Sequence, residues 1–150
     1  MTAAPPSPGP VLLATEGRPI PAEAISAAAA AAGRGGRVHV FSIVRVWGTS
    51  LGLPNPGLLP SKREWDEQRE NVGAAVKALE RLGVAADGRA VATRRATRRI
   101  VGEAERLGCA SIVMAADPPR NRLLADLMWS QEAYRVRRRA RVPVQLVERS

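Results

Sequence analysis

The sequence predicts an α/β fold, a three-layer sandwich in which helices cover both faces of a five-stranded parallel sheet. Three observations carry that prediction. Short, nearly continuous apolar runs recur at residues 11–14, 38–44, 110–115 and 142–147, the pattern of strands buried on both faces. Segments of helical spacing, bounded by capping residues or glycines, alternate with them, and such alternation implies right-handed crossovers between parallel strands. The chain has 150 residues, enough for one core of this kind and too few for two.

The elements follow in order. The first ten residues carry four prolines and no basic start or apolar centre, so residues 1–9 are expected to form a disordered tail and the domain to span 10–150. Val11, Leu12, Leu13 and Ala14 make the first strand, and Thr15, Glu16 and Gly17 the turn that ends it. A helix over 22–32 follows Pro19 and Pro21 and is closed by Gly33, Gly35 and Gly36. Val38, Val40, Ile43 and Val44 give the second strand. Residues 47–60, punctuated by glycines and prolines, form a loop long enough to suggest a function, and its leucines and Trp47 suit packing over a crevice. Ser61 with Glu64 reads as a capping box for a helix that carries Trp65, Val72, Val76, Leu79 and Leu82 and stops at Gly83. The second half repeats the scheme: a strand over 89–93, a helix over 96–107, a strand over 110–115, a helix over 122–139 and a last strand over 142–147. In this architecture a ligand binds outside the carboxyl ends of the strands, where the winding direction switches.

Several function classes are excluded or disfavoured. No run approaches the ~18 apolar residues of a membrane span. Cys109 is the sole cysteine and His39 the sole histidine, which rules out an internal disulfide and a His/Cys metal cluster. Neither has an evident partner for nucleophilic catalysis, so the chain does not read as an enzyme. The formal charge is +9, from 23 Lys and Arg against 14 Asp and Glu, which favours acidic partners. Arg94, Arg95, Arg98 and Arg99 gather at the expected start of the third helix, where helix amides and guanidinium forks could hold an anion. A second cluster, Arg135, Arg137, Arg138, Arg139 and Arg141, ends the last helix, where cations complement the dipole. The chain carries no nucleic-acid recognition motif and few aromatic residues, which argues against specific nucleic-acid binding.

The runs Val11-Leu12-Leu13-Ala14-Thr15-Glu16-Gly17, Ser111-Ile112-Val113-Met114 and Val142-Pro143-Val144-Gln145-Leu146-Val147 resemble the first, fourth and fifth strands of the universal stress protein (UspA-like) family. The order and spacing of the nine elements are similar over about residues 10–147. The resemblance implies sheet order 3-2-1-4-5, a Rossmann-like fold of the adenine-nucleotide α-hydrolase type, a cytoplasmic stress-response role, a homodimer formed through the C-terminal strand, and an adenine nucleotide, ATP or AMP, as ligand. The residues it points to are Ala14, Thr15, Glu16, Val44, Met114, Ala115 and Ser130, with Glu16 toward the ribose and Val44 beside the adenine.

The family's phosphate loop, Gly-x2-Gly-x9-Gly-Ser/Thr, departs from its pattern here. Its four positions fall on Ala115, Pro118, Met128 and Trp129, and a one-residue shift is needed to reach the Ser130 hydroxyl. Pro118 has no amide to offer. The nucleoside half of the site is therefore expected to outlast the triphosphate half. The alternative is a family member without nucleotide that engages a protein partner through its basic faces or the Leu/Pro loop.

Overall fold

The computed structural model of the chain describes residues 9–46, 59–117 and 132–149. Five parallel strands, β1 (Val11–Thr15), β2 (Arg37–Arg45), β3 (Ala85–Thr93), β4 (Ser111–Ala116) and β5 (Val144–Glu148), form one sheet in the order β3-β2-β1-β4-β5. Helices α1 (Ala22–Ala32), α2 (Lys62–Arg81), α3 (Ala96–Arg106) and α4 (Glu132–Arg139) lie between them in sequence.

Strand alternation divides the core between the two faces. Leu12, Ala14, Phe41, Ile43, Ile112 and Met114 point to one side and pack on α3 and α4 through Ile100, Ala104 and Val136. Val11, Leu13, Val38, Val40, Val113 and Ala115 point to the other and meet Ala24 and Ala28 of α1 and Val72, Ala75 and Leu79 of α2. Every residue of β1 is buried, as the central strand of a doubly covered sheet should be. Each fully buried Leu or Ile contributes ~1.5–3 kcal/mol against chain entropy, so these two layers supply most of the cohesion.

Local signals explain most element ends. Gly33 closes α1 at φ 73°. Ser61 and Glu64 form the expected reciprocal cap, with the Glu64 amide donating to Ser61 Oγ at 3.2 Å. Cys109 is buried against α3, and burial, reinforced by the nearby Glu103 and Asp87 charges, pushes its thiol up to about 11, so it is a packed core residue.

Two strands start two or more residues away from the sequence expectation. β3 starts at Ala85 and not at Arg89, with Asp87 and Gly88 inside the strand. Asp87 sits opposite His39 in the register; its Oδ1 lies 2.7 Å from His39 Nδ1 and its Oδ2 accepts from Arg37 at 3.1 Å, so the exposed sheet edge is tied by charge. Gly88 is required by the helix above it: a Cβ there would stand 2.5 Å from Val72 Cγ1 and 2.9 Å from the Val40 carbonyl oxygen. β5 is shifted to Val144–Glu148, since Pro143 cannot donate to the ladder and instead accepts from the Ile112 amide at 3.0 Å. The tail expected at 1–9, the loop expected at 47–60 and residues 122–131 of the expected fourth helix lie wholly or largely outside the described residues.

A buried carboxylate joins the sheet edge to α3. Glu103, 3% exposed, accepts from Arg89 Nη2 at 2.6 Å and Nε at 2.8 Å, and from Arg106 Nη2 at 3.0 Å and Nε at 3.1 Å. Arg89 also lies over the Phe41 ring, 5.7 Å from its centroid. Burial opposes the ionised form of Glu103, but the hydrogen bonds and charges of both arginines outweigh it and hold the carboxyl down at about 2.

Candidate functional site

The strand order reverses between β1 and β4, so the crevice to inspect opens beyond Thr15 and Ala116. Glu16 follows β1 directly and is almost completely buried. Its carboxylate accepts from Arg18 Nε at 2.6 Å, and Arg149 Nη2 approaches to 3.7 Å. Arg18 reaches across to Asp117, just past β4, at 3.2 Å. Burial works against the Arg18 charge, but its bonds to Glu16 and Asp117 raise its pKa nonetheless. Arg149 goes the other way: burial and the neighbouring Arg18 charge lower its pKa despite Glu16 and Asp117. An internal ion network thus fills the ground between the ends of β1, β4 and β5.

The turn after β1 is held by polar atoms from two further elements. Thr15 Oγ1 donates to the Arg18 carbonyl at 2.6 Å and accepts from the Gly17 amide at 3.3 Å. Gly17 adopts φ 119°, and a Cβ there would meet the Ile43 carbonyl oxygen at 3.0 Å. Gln68 of α2 donates to the Gly17 carbonyl at 2.7 Å and accepts from Ser42 of β2 at 2.6 Å. Arg45, at the end of β2, donates from Nε to the Glu16 carbonyl at 3.3 Å and carries Nη2 to 3.6 Å from Glu132.

A cavity of about 160 Å³ opens beside this turn, with Glu16, Gly17, Ile43, Val44, Arg45 and Gln68 in its wall and the Glu64 and Glu67 carboxylates at its α2 side. That volume lies below the ~300–1,000 Å³ usual for small-molecule sites. The glutamates make its mouth acidic, which suits a neutral nucleoside better than a chain of phosphates. Among the described residues no group of three or more His, Cys, Asp and Glu could hold a metal ion.

The structure brings together two of the residues singled out from sequence, Glu16 and Val44, in that one wall. Thr15 lies at the same turn but spends its hydroxyl on it. Ala14 and Met114 are register partners buried in the α3–α4 layer, and Ala115 is buried in the opposite layer; none of the three lines the cavity. Ser130, with the Pro118, Met128 and Trp129 positions of the departed loop, lies outside the described residues. Sequence reasoning missed Arg18, Asp117, Arg149 and Gln68. Asp117 had a signal, an acid immediately after β4; Arg149 and Gln68 had none, since only the fold brings Arg149 to Glu16 and Gln68 to the Gly17 carbonyl.

A second concavity, about 630 Å³, lies between the start of α3 and α4 and is walled by Arg94, Arg95, Arg98, Arg135, Arg138 and Arg139. Glu132 is its one carboxylate among the described residues; it is bonded to the Thr97 hydroxyl and lies 3.4 Å from Arg135.

A 3-2-1-4-5 parallel sheet covered by helices on both faces, with an acid beyond β1 at the switch point, defines a doubly wound domain of the Rossmann-like class. The chain belongs to the universal stress protein family, whose profile matches residues 9–148. Solved structures similar to it include a universal stress protein from Archaeoglobus fulgidus, 20% identical with a TM-score of 0.70, the match covering 93% of each chain. A universal stress protein from the same organism in complex with dAMP is 19% identical, TM-score 0.64, over 93% of this chain and 97% of that one. A member of the family from Burkholderia pseudomallei is 25% identical, TM-score 0.63, over 93% and 95% of the two chains. No curated protein matches the sequence.

Proposed function

We propose that this universal stress protein family domain is a regulatory binding module of a cytoplasmic stress response, which takes an adenine nucleoside or mononucleotide weakly and without catalysis. The placement of Glu16 and Val44 in one wall at the carboxyl ends of β1 and β2 carries this reading. The complex of a similar protein with dAMP supports the ligand class. In this reading Glu16 accepts from the ribose, Val44 packs on the base, Ala14, Thr15, Met114 and Ala115 form the strand ends beneath, and Ser130 supplies a hydroxyl toward a phosphate. Affinity is low because the ribose must share Glu16 with Arg18, and because the glycines of the phosphate loop are replaced.

Mass spectrometry of freshly purified protein and thermal shift with adenosine, AMP and ATP test it. Adenosine and AMP should raise the melting temperature, and Glu16→Ala should remove the adenosine response. A protein free of nucleotide whose melting point no adenine compound moves would instead support the second reading, an interaction module without nucleotide. The Arg18 to Glu16 bond of 2.6 Å favours that alternative, since the ribose acceptor is already engaged.

The homodimer belongs to the same proposal. β5 is an edge strand whose Val144, Leu146 and Val147 are half-buried and whose outer backbone groups face away from β4. Pairing two such edges would cover them. Light scattering should give twice the monomer mass, and Leu146→Arg should shift the protein to monomer; a monomeric parent protein would discard the dimer.

A further inference from the structure

The arginine-walled groove between α3 and α4 plays no part in the nucleoside crevice and needs its own account. Of its six arginines, Arg94, Arg95, Arg98, Arg138 and Arg139 have no carboxylate within ion-pair distance among the described residues, where only Arg135 leans on Glu132. They come from two elements, so their convergence is a tertiary feature and not the spacing of one solvated helix. Like charges gathered without counter-charge repel one another and weaken the fold that gathers them. The start of α3 adds to the field: its N-cap is Arg95, no side chain caps the first turn and no acid lies in it.

We infer that this groove is a binding site for a compact oligophosphate, a ligand carrying two or more adjacent phosphate groups, gripped from one side by Arg94, Arg95 and Arg98 and from the other by Arg135, Arg138 and Arg139. Guanidinium forks match phosphate oxygens two at a time, and a ligand with several phosphates can engage both helices at once. The volume of about 630 Å³ falls within the range of small-molecule sites. Nucleic acid suits it less well. Tyr134, the aromatic residue of α4, already lies under Arg137 and donates to the Asp117 carbonyl at 2.8 Å, so no free stacking platform adjoins the groove among the described residues. Glu132 does not cancel the field, since Thr97, Arg135 and Arg45 share its single charge. Arg45 in turn bonds the Glu16 carbonyl, so the groove adjoins the crevice without depending on it.

Calorimetric titration and thermal shift on the whole protein at fixed ionic strength provide the test, with inorganic tripolyphosphate, sulfate, adenosine, ATP and a single-stranded oligonucleotide as probes. Tripolyphosphate should bind at least about tenfold more tightly than sulfate and raise the melting temperature. The double variant Arg98→Ala with Arg138→Ala should lose about tenfold or more of that affinity, whereas Arg34→Ala with Arg81→Ala, equal in charge change but outside the groove, should stay within about twofold. Unliganded melting of the exposed variants should match the parent, which separates lost binding from lost folding. ATP binding as tightly as tripolyphosphate, while adenosine does not compete, assigns the phosphates to a nucleotide source; tripolyphosphate binding alone assigns a free one. The inference is overturned if tripolyphosphate does not bind, if both double variants lose equal affinity, or if the oligonucleotide binds more tightly than tripolyphosphate.

Discussion

Replacing Glu103 by alanine is expected to lower the stability by about 2–3 kcal/mol, or roughly 5–10 °C in melting temperature, with the loss confined to mild pH. Among the described residues Glu103 is the sole counter-charge of Arg89 and Arg106, and it takes four hydrogen bonds from them while nearly out of contact with water. Its carboxyl moves from an ordinary 4.5 to about 2, which corresponds to about 3 kcal/mol for a fully enclosed group. Both arginines are about half exposed, so water screens their side of the contact and the expected figure is smaller. A carboxyl depressed by folding stabilises above its unfolded value, and that contribution fades as pH falls from about 4.5 toward about 2. Melting curves of parent and variant should therefore lie apart at pH 7 and converge at the acid end. A gap that persists unchanged at pH 2 would show that Glu103 acts through packing alone.

Gly88→Ala should cost about 2–3 kcal/mol although it adds one methyl group. The new Cβ would stand 2.5 Å from Val72 Cγ1 and 2.9 Å from the Val40 carbonyl oxygen, so α2 must lift from β3 or the strand must bend. Val72→Ala removes the first of these contacts. Denaturant unfolding of both single variants and the pair should give a double variant more stable than the sum of the single losses, with coupling of about 1 kcal/mol. Strict additivity would mean that the Val40 carbonyl alone sets the limit.

These two residues also mark what could and could not be read from sequence. The span of α1 follows from Pro21 and Gly33, and the cap of α2 from Ser61 and Glu64, because such signals act within a few residues. Gly88 shows the limit of such signals. Asp-Gly is a turn signal locally, and only the passage of Val72 overhead makes glycine necessary inside a strand. Glu16 was legible through the resemblance of its strand to the first strand of the family, which implied an acid toward the ribose there. Its surroundings were not: Asp117 lies 99 positions from Arg18, and their contact depends on which strands become neighbours. The arginine groove was half legible. The cluster before α3 and the cluster in α4 each stand out, but a list of charges does not reveal that they face one cavity.

The central position of β1 has a consequence for biosynthesis. Val11 is paired on one side with Val38 and on the other with Ser111, which follows it by 100 residues. At ~5–20 residues per second, a ribosome that has released β1 needs roughly 5–20 s more to deliver β4. Throughout that interval β1 has its second edge open, and once β2 and β3 have emerged the half-sheet β3-β2-β1 still has no β4 to shield it. The order that buries β1 most deeply in the finished protein is also the one that keeps it waiting longest for cover.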